Sequence, residues 1–434
     1  MKKNIGIIGA GYIGLVTSLG LSKLGNKVIC MDVDEDKISL LKKGISPIYE
    51  EGITELLYES LREKRIIFTT NFEDVVKNSE ILFICVNTPP KENGEVDLSQ
   101  VISSTKSIAK FIERRKIIAI KSTIPVHALS KIREILNKEG KTEGEDYELA
   151  VVPEFLREGS AIKDFFNPSR IVIGAEKEDV AEIIKEIFSP LNSPIIITKP
   201  VSAILIKYAS NAFLAMRISF INEIANICEK FNVDVYEVIE GMKYDKRIGN
   251  EYLNPGIGFG GPCLEKDLMG LIKMAEKKEY SPDFLKAILE KNEHQVRYVI
   301  YKVKEELSDL LYDYTISVWG LTFKPDTKDV RNSLSLRIIS LLKNEGAYIK
   351  AYDPLGMDEA RKIINDIEYG NDPYDTASES DALLILTSWK EFREVDLKRL
   401  KSIMKRPIII DGVNILDPHK VKEMGFIYKG IGRR

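Results

Sequence analysis

The sequence predicts an α/β protein in three parts. These are a doubly wound domain over residues 1–200, a helical middle over 201–310, and a second doubly wound domain over 311–434. Three observations point there. Short, wholly apolar runs alternate with helical patterns in the first third, and the pattern returns from Tyr314. That alternation is the mark of βαβ units, and strands apolar along their whole length are buried on both faces of a parallel sheet. The stretch Val201–Phe231 contains neither Gly nor Pro, and Ala203, Ile206, Ala209, Phe213, Met216 and Phe220 recur at spacings of three or four, the period of a helix. The chain has 434 residues, more than one hydrophobic core usually serves.

Each element follows from its own residues. "NIGIIG" is a strand, Tyr12–Leu24 a helix and "KVICMD" the next strand. "EILFICVN", "KIIAIKST", "YELAVVPEF" and "SRIVIGA" continue the series. The lysines and apolar run at the start also fit the charge pattern of a signal peptide. The glycine spacing and the strand that follows at once favour strand, turn and helix instead. A helix of about 30 residues from Val201 would span about 45 Å, long enough to tie two domains together and to pair with a second subunit. Helices continue to about Asp309. Then "TISVWG" is a strand, Ser333–Glu345 a helix, and "YIKAYDP", "DALLILTSW" and "RPIIIDG" are strands. No other apolar stretch approaches the roughly 20 residues of a membrane span.

Apolar residues make up 44% and charged residues 30%, with a net charge of −3. No basic stripe marks a nucleic-acid binder. The cysteines Cys30, Cys85, Cys228 and Cys263 lie far apart without CxxC spacing, which argues against a disulfide framework and a zinc site and for a reducing compartment, the cytoplasm. No metal is expected.

"GAGYIG" places Gly9, Gly11 and Gly14 in the G-x-G-x-x-G spacing, closing a strand and opening a helix at Tyr12 and Ile13. Asp32 ends the next strand about 20 residues on, where a carboxylate binds ribose hydroxyls. The pattern predicts a Rossmann-like dinucleotide site. Asp32, Asp34, Glu35 and Asp36 would repel a 2′-phosphate and only Lys37 offers a cation, so the cofactor is NAD. The second α/β region lacks the fingerprint. Its basic loop "GLTFKPDTKDVRNS", with Lys324, Lys328 and Arg331, sits where a doubly wound sheet takes a phosphorylated ligand. A solvated loop would look similar.

"GIGFGGPCLEKD" sets four glycines and a proline before Cys263. The helical pattern after it places the thiol near a helix N-terminus, where the dipole lowers a thiol pKa. Lys266 and Asp267 share its face. Cys30, Cys85 and Cys228 read as small buried hydrophobes. A thiolate beside a nicotinamide cofactor makes an aldehyde oxidisable: it adds to give a thiohemiacetal, hydride loss gives a thioester, and water releases an acid. Such an intermediate needs oxyanion donors, and Lys207 and Asn211 stand four apart on the long helix. Glu154, Arg157 and Glu158 in "VVPEFLREGSAIKDF", and Thr123 in "KSTIP", lie at strand C-terminal ends, the ligand side of such sheets.

Together "GAGYIG", "DVDEDKI", "PIYEEG", "FICVNTPP", "KSTIP", "PEFLREGSAIKDF", "KYASNAFLAMRISFINEI", "RIG", "PGIGFGGPC", "GLTFKPDTKDVR" and "AYDP" resemble the UDP-glucose/GDP-mannose dehydrogenase family over nearly the whole chain. The resemblance implies two Rossmann-like domains joined by a long central helix at a dimer core, with the sugar nucleotide's nucleotide part held largely by the second. It implies oxidation of UDP-glucose at C6 to UDP-glucuronate with two NAD. Cys263 matches the nucleophile, Lys207 and Asn211 the oxyanion-stabilising pair, Asp267 the carboxylate assisting proton transfer or water activation, and Thr123 and Glu154 residues that position water. Asp32, Lys37, Thr88, Thr123, Glu158, Lys266 and Arg331 match cofactor contacts beside the Gly9–Gly14 turn. Glu154, Phe155, Leu156, Arg157, Glu158, Lys207, Asn211, Tyr252, Leu253, Asn254, Pro255, Gly256, Gly260 and Lys324 match substrate contacts. Arg247 matches an arginine that reaches the sugar of a neighbouring subunit. Leu264, Glu265 and Val413 depart from the common pattern, where many members have Phe, Pro and Arg. GDP-mannose and UDP-N-acetylmannosamine are the alternative substrates. A two-electron hydroxy-acid-type dehydrogenase using Lys207 and Asn211, or a non-catalytic NAD-binding regulator, would not need the thiol.

Overall fold

The computed structural model describes residues 2–433. The chain separates into two compact units. One takes the chain through Ser210 together with Met269–Lys278, and the other takes Asn211–Leu268 and the chain from Glu279 onward.

The first unit is built on eight strands: β1 (Asn4–Ile8), β2 (Lys27–Met31), β3 (Ile66–Thr69), β4 (Ile81–Ile84), β5 (Lys116–Ile120), β6 (Tyr147–Val151), β7 (Ile171–Ala175) and β8 (Ile195–Thr198). They lie in the order β3-β2-β1-β4-β5-β6-β7-β8. The strand reversal between β1 and β4 is the topological switch point, where open α/β sheets bind ligands. Successive side chains feed two cores. Ile5, Ile7 and Phe83 pack with Leu15 and Leu19 of the helix Tyr12–Lys23. Ile8, Leu82 and Ile84 pack with Ile118 and Ile120 on the other face. The alternation of β4 between the two cores explains why its sequence is apolar throughout.

One expectation is corrected. The sheet is not wholly parallel, because β6 and β7 run antiparallel, with Ala150 opposite Ala175. The segment between them, residues 152–170, carries only the short helix Ala161–Phe166, in place of the longer helix that usually connects parallel neighbours.

The second unit holds β9 (Thr315–Trp319), β10 (Tyr348–Tyr352), β11 (Glu368–Tyr369), β12 (Ala382–Ile385), β13 (Ile408–Asp411) and β14 (Ile427–Gly430). Their order, β11-β10-β9-β12-β13-β14, repeats the switch-point topology, and every neighbouring pair is parallel.

The long helix runs Pro200–Phe231. Ala203, Ile204 and Tyr208 belong to the first unit's core, and Ile221, Ala225 and Cys228 to the second's. By length and composition it is also apolar enough to cross a membrane, contrary to the expectation that no other stretch approaches such a span. The burial of those residues in two protein cores accounts for that composition.

Candidate active site

In the first unit, the glycine turn joins β1 to the helix Tyr12–Lys23. Gly9 has φ +98°, and a Cβ there would lie 2.8 Å from the Cys85 carbonyl oxygen. A Cβ on Gly14 would lie 1.8 Å from the Gly9 carbonyl oxygen. Both glycines are therefore demanded by the protein's own packing. Gly11 is different, because its Cβ would meet nothing nearer than Asn87 Oδ1 at 3.9 Å. Its bare backbone opens towards space, as the approach of a pyrophosphate requires.

Asp32 follows β2. Its Oδ2 accepts from the Ala10 N–H at 2.8 Å and from Lys37 Nζ at 3.0 Å, and its Oδ1 accepts from the Asp34 N–H. The carboxylate is thus fixed against the glycine turn. The Thr88 hydroxyl donates to the Thr123 carbonyl at 2.9 Å, joining the chain after β4 to that after β5. Tyr12 Oη accepts from the Gly159 N–H at 2.9 Å and ties the opening of that helix to the loop carrying Glu154–Glu158. Ile13 is half-buried.

That loop holds a buried ion pair. Lys207 Nζ donates to Glu154 Oε1 at 2.9 Å, with both side chains under a tenth exposed. Glu154 Oε2 accepts from the Leu156 N–H. Burial pushes the Glu154 carboxyl up, but the Lys207 charge and hydrogen bond, the Leu156 N–H and the Lys121 charge outweigh it and hold the pKa below the usual range. Phe155 lies under two cations, Arg170 at 4.0 Å and Lys207 at 5.4 Å from its ring centroid. Arg157 turns outward onto Asp164, and Glu158 is half-buried beside it. Lys121, not among the expected site residues, is a lysine only 6% exposed directly after β5. Burial depresses its pKa. The signal available was a charged residue closing the apolar run Ile117–Ile120.

In the second unit, a cleft opens at the switch point of the sheet. Thr322–Pro325 after β9 and Leu386–Ser388 after β12 form one side, and Asn254, Pro255, Gly256, Ile257, Gly258 and Gly260 form another. Of the predicted substrate residues, Asn254, Pro255, Gly256, Gly260 and Lys324 thus come together. Among the described lining residues Lys324 is the one cation, and Val413 is also in the wall. Tyr252 and Leu253 do not line it, and Leu253 is buried in the core. Arg247 is bound to the Asp245 carboxylate and is largely exposed. The acid after β10, Asp353, holds the place that Asp32 holds after β2. It is fully buried and accepts from the Leu321, Thr322 and Gly356 N–H groups and from Trp389 Nε1. An acid so consumed cannot read a ribose, so this sheet keeps the topology of a dinucleotide fold without its fingerprint.

The glycine loop ends at Cys263, the one exposed cysteine among the described residues. Its carbonyl accepts from the Asp267 N–H at 2.9 Å, so the thiol stands at the N-terminal edge of the helix Leu264–Glu276, as expected. Asp267 is 1% exposed. Asn211 Nδ2 donates to one of its oxygens at 2.6 Å and Lys266 Nζ to the other at 2.5 Å. Glu265 accepts from Asn332 Nδ2 at 2.6 Å. Arg331 is paired with Asp329. Burial pushes the Cys30 and Cys85 thiols up to about 12, which leaves them inert.

Three sequence models of the UDP-glucose/GDP-mannose dehydrogenase family match in order: the NAD binding domain over residues 3–192, the central domain over 201–294 and the UDP binding domain over 317–418. The chain belongs to this family. Among dehydrogenases of the family, the chain is 43% identical to the UDP-glucose 6-dehydrogenase TuaD of Bacillus subtilis, over 99% of this chain and 93% of that one. The structure of a UDP-glucose dehydrogenase from Pyrobaculum islandicum superposes with a TM-score of 0.94 at 33% identity, covering 100% of this chain and 98% of that one. A UDP-D-ManNAc dehydrogenase from Pyrococcus horikoshii gives 0.89 at 28% identity, with 99% of each chain covered.

Proposed function

We propose that the protein is an NAD-dependent UDP-glucose 6-dehydrogenase that carries out a four-electron oxidation to UDP-glucuronate. The observation that carries this reading is a single stretch of backbone. The loop that walls the switch-point cleft of the second unit ends, three residues past Gly260, in the exposed thiol Cys263. A nucleotide site and a nucleophile on one loop suit a sugar nucleotide oxidised beyond the aldehyde. The names of the relatives in Bacillus subtilis and Pyrobaculum islandicum support glucose as the sugar.

The first unit's turn fits NAD: Gly11 leaves room for the pyrophosphate and Asp32 is fixed to meet the ribose. When bound, NAD supplies the acceptor for both hydrides, one molecule for each two-electron step. The chain's own groups do the rest. Lys324 and the cleft wall hold the nucleotide. Cys263 as thiolate adds to the C6 aldehyde, forming the C–S bond of a thiohemiacetal. Lys207 and Asn211 donate to the oxygen that gains charge. After the second hydride is lost, water attacks the thioester, the C–S bond breaks, and the thiolate leaves as acid is released. Glu154 and Thr123 position that water, and Asp267 assists its proton transfer. Phe155–Glu158, Tyr252, Leu253 and Arg247 take part in substrate binding, and Lys37, Thr88, Glu158, Lys266 and Arg331 in cofactor binding.

The active form is a homodimer joined along the long helix. Phe213, Phe220 and Ile227 are exposed and seven residues apart, so they share one face. Among the described residues no disulfide forms, which suits the cytoplasm. The test is turnover with UDP-glucose, GDP-mannose and UDP-N-acetylmannosamine side by side. A kcat/KM for UDP-glucose at least about tenfold above the others is expected. Preference for another sugar nucleotide would move the substrate, and no turnover with any would leave only a binding protein.

A further inference from the structure

The glycine loop should be loose. Four glycines within six residues, Gly256 to Gly261, carry a large conformational entropy, and the loop pairs with no strand. Yet its backbone is held by three buried carboxamides, all within the second unit. Asn222 Oδ1 accepts from the Gly256 N–H at 2.8 Å, and Gln295 Nε2 donates to the Gly256 carbonyl at 2.9 Å. Asn292 Oδ1 accepts from the Phe259 N–H at 2.8 Å and its Nδ2 donates to the Phe259 carbonyl at 2.9 Å. Asn292 therefore presents one donor and one acceptor to a single residue, as a neighbouring strand would. The three side chains are at most 2% exposed. Gly258 fits the same device: its φ is +117°, and a Cβ there would lie 2.4 Å from Asn292 Oδ1. Only glycine lets the loop close onto that amide.

Of the two gripped residues, Gly256 itself lines the cleft and Phe259 does not. Gly258 and Gly260 line it, while Phe259 between them points its ring into the core at 3% exposure. Holding Phe259 thus sets the chain that leads to Cys263 without occupying the cleft. We propose that Asn222, Asn292 and Gln295 are positioning residues that fix the distance and direction from the nucleotide cleft to the Cys263 thiol. The loop is a rigid spacer, and its glycines serve close packing rather than motion. The proposal rests on the functional reading above, because it gives the spacer a reaction to serve.

The experiment compares Asn292→Ala and Gln295→Leu with Ser219→Ala in the full chain. Ser219 Oγ on the long helix donates to the Ile288 carbonyl at 2.9 Å on the helix Asp283–Glu306, which carries Asn292 and Gln295, so its loss removes a buried hydrogen bond beside the three amides without touching the loop. For each variant, kcat and KM for UDP-glucose are measured together with UDP affinity by calorimetry and hydrogen exchange in the 256–263 peptide. The loop variants are expected to lose about tenfold to a hundredfold in kcat, the cost of a misplaced reacting group. UDP affinity should stay within about threefold, and the loop peptide should exchange faster. Ser219→Ala should stay within about twofold of the parent chain in kcat. Loop variants whose kcat matches that of Ser219→Ala would overturn the proposal. So would a loss of UDP affinity with kcat intact, because the amides would then serve only the cleft. If Asn292→Ala does not fold, Gln295→Leu alone decides on the same criteria. Absence of turnover in the unaltered chain would instead sink the functional reading, and the proposal with it.

Discussion

At the scale of single residues, the account rests on Cys263, Lys207 and Glu154. Replacing Cys263 by Ser is expected to keep UDP affinity and to lower kcat for the complete oxidation by roughly a thousandfold or more, measured as UDP-glucuronate formed. Lys207→Ala leaves Glu154 buried without its main cation, and breaking a buried pair from one side costs about 3–5 kcal/mol. The pH dependence follows from the same pair. Glu154's pKa is depressed in the folded chain, so its contribution is present above the unfolded carboxylate pKa and lost as pH falls through the depressed value. In Lys207→Ala burial acts against a weaker opposition and the carboxyl rises. Urea unfolding from pH 3 to pH 8 should therefore show the largest deficit at neutral pH, shrinking below about pH 4. A deficit independent of pH would show that lost packing, not charge, dominates. Cys263 was legible in the sequence because a lone thiol after four glycines has little packing value. Asn222, Asn292 and Gln295 were not, because ordinary amides in helical patterns carry no local mark of the loop they hold.

At the scale of elements, the β1–turn–helix unit makes a sharp contrast between two glycines. Gly11→Ala has room for its methyl and should keep the thermal midpoint within a few degrees, while KM for NAD rises by about tenfold as the methyl meets the pyrophosphate. Gly14→Ala sets a methyl 1.8 Å from a backbone oxygen and should not yield folded protein. Equal stability of the two variants would remove the packing argument for the motif. Elements whose apolar runs are long were readable: β1, β2, β4, β5, β6, β7, β9, β10, β12 and β13 all fall within the runs expected. The missed strands have physical excuses. β3 and β8 lie at sheet edges, with Ile67, Ile196 and Ile197 exposed, and β11 has only two residues. β14 is the opposite edge of the second sheet. The direction of β7 depends on the connection before it, and the strand's own residues do not encode that.

At the scale of the whole molecule, the order of the second sheet's six strands repeats that of the first six strands of the other, and the two match an NAD binding and a UDP binding domain of the family. They differ in the turn after the first strand and in the acid after the second: Asp353 is fully buried, while Asp32 keeps 9% of its surface exposed. Assembly is a further prediction. Phe220→Asp on the exposed face of the long helix should shift sedimentation from dimer to monomer, and an unchanged sedimentation coefficient would place the interface elsewhere. The central claim is covalent four-electron oxidation by one chain. Its most direct test is the amount of NADH formed per UDP-glucose consumed, with NAD in excess and the reaction run to completion. Two NADH per UDP-glucose, with UDP-glucuronate as the product, is the result this account predicts. One NADH per UDP-glucose, with the aldehyde accumulating, would contradict it.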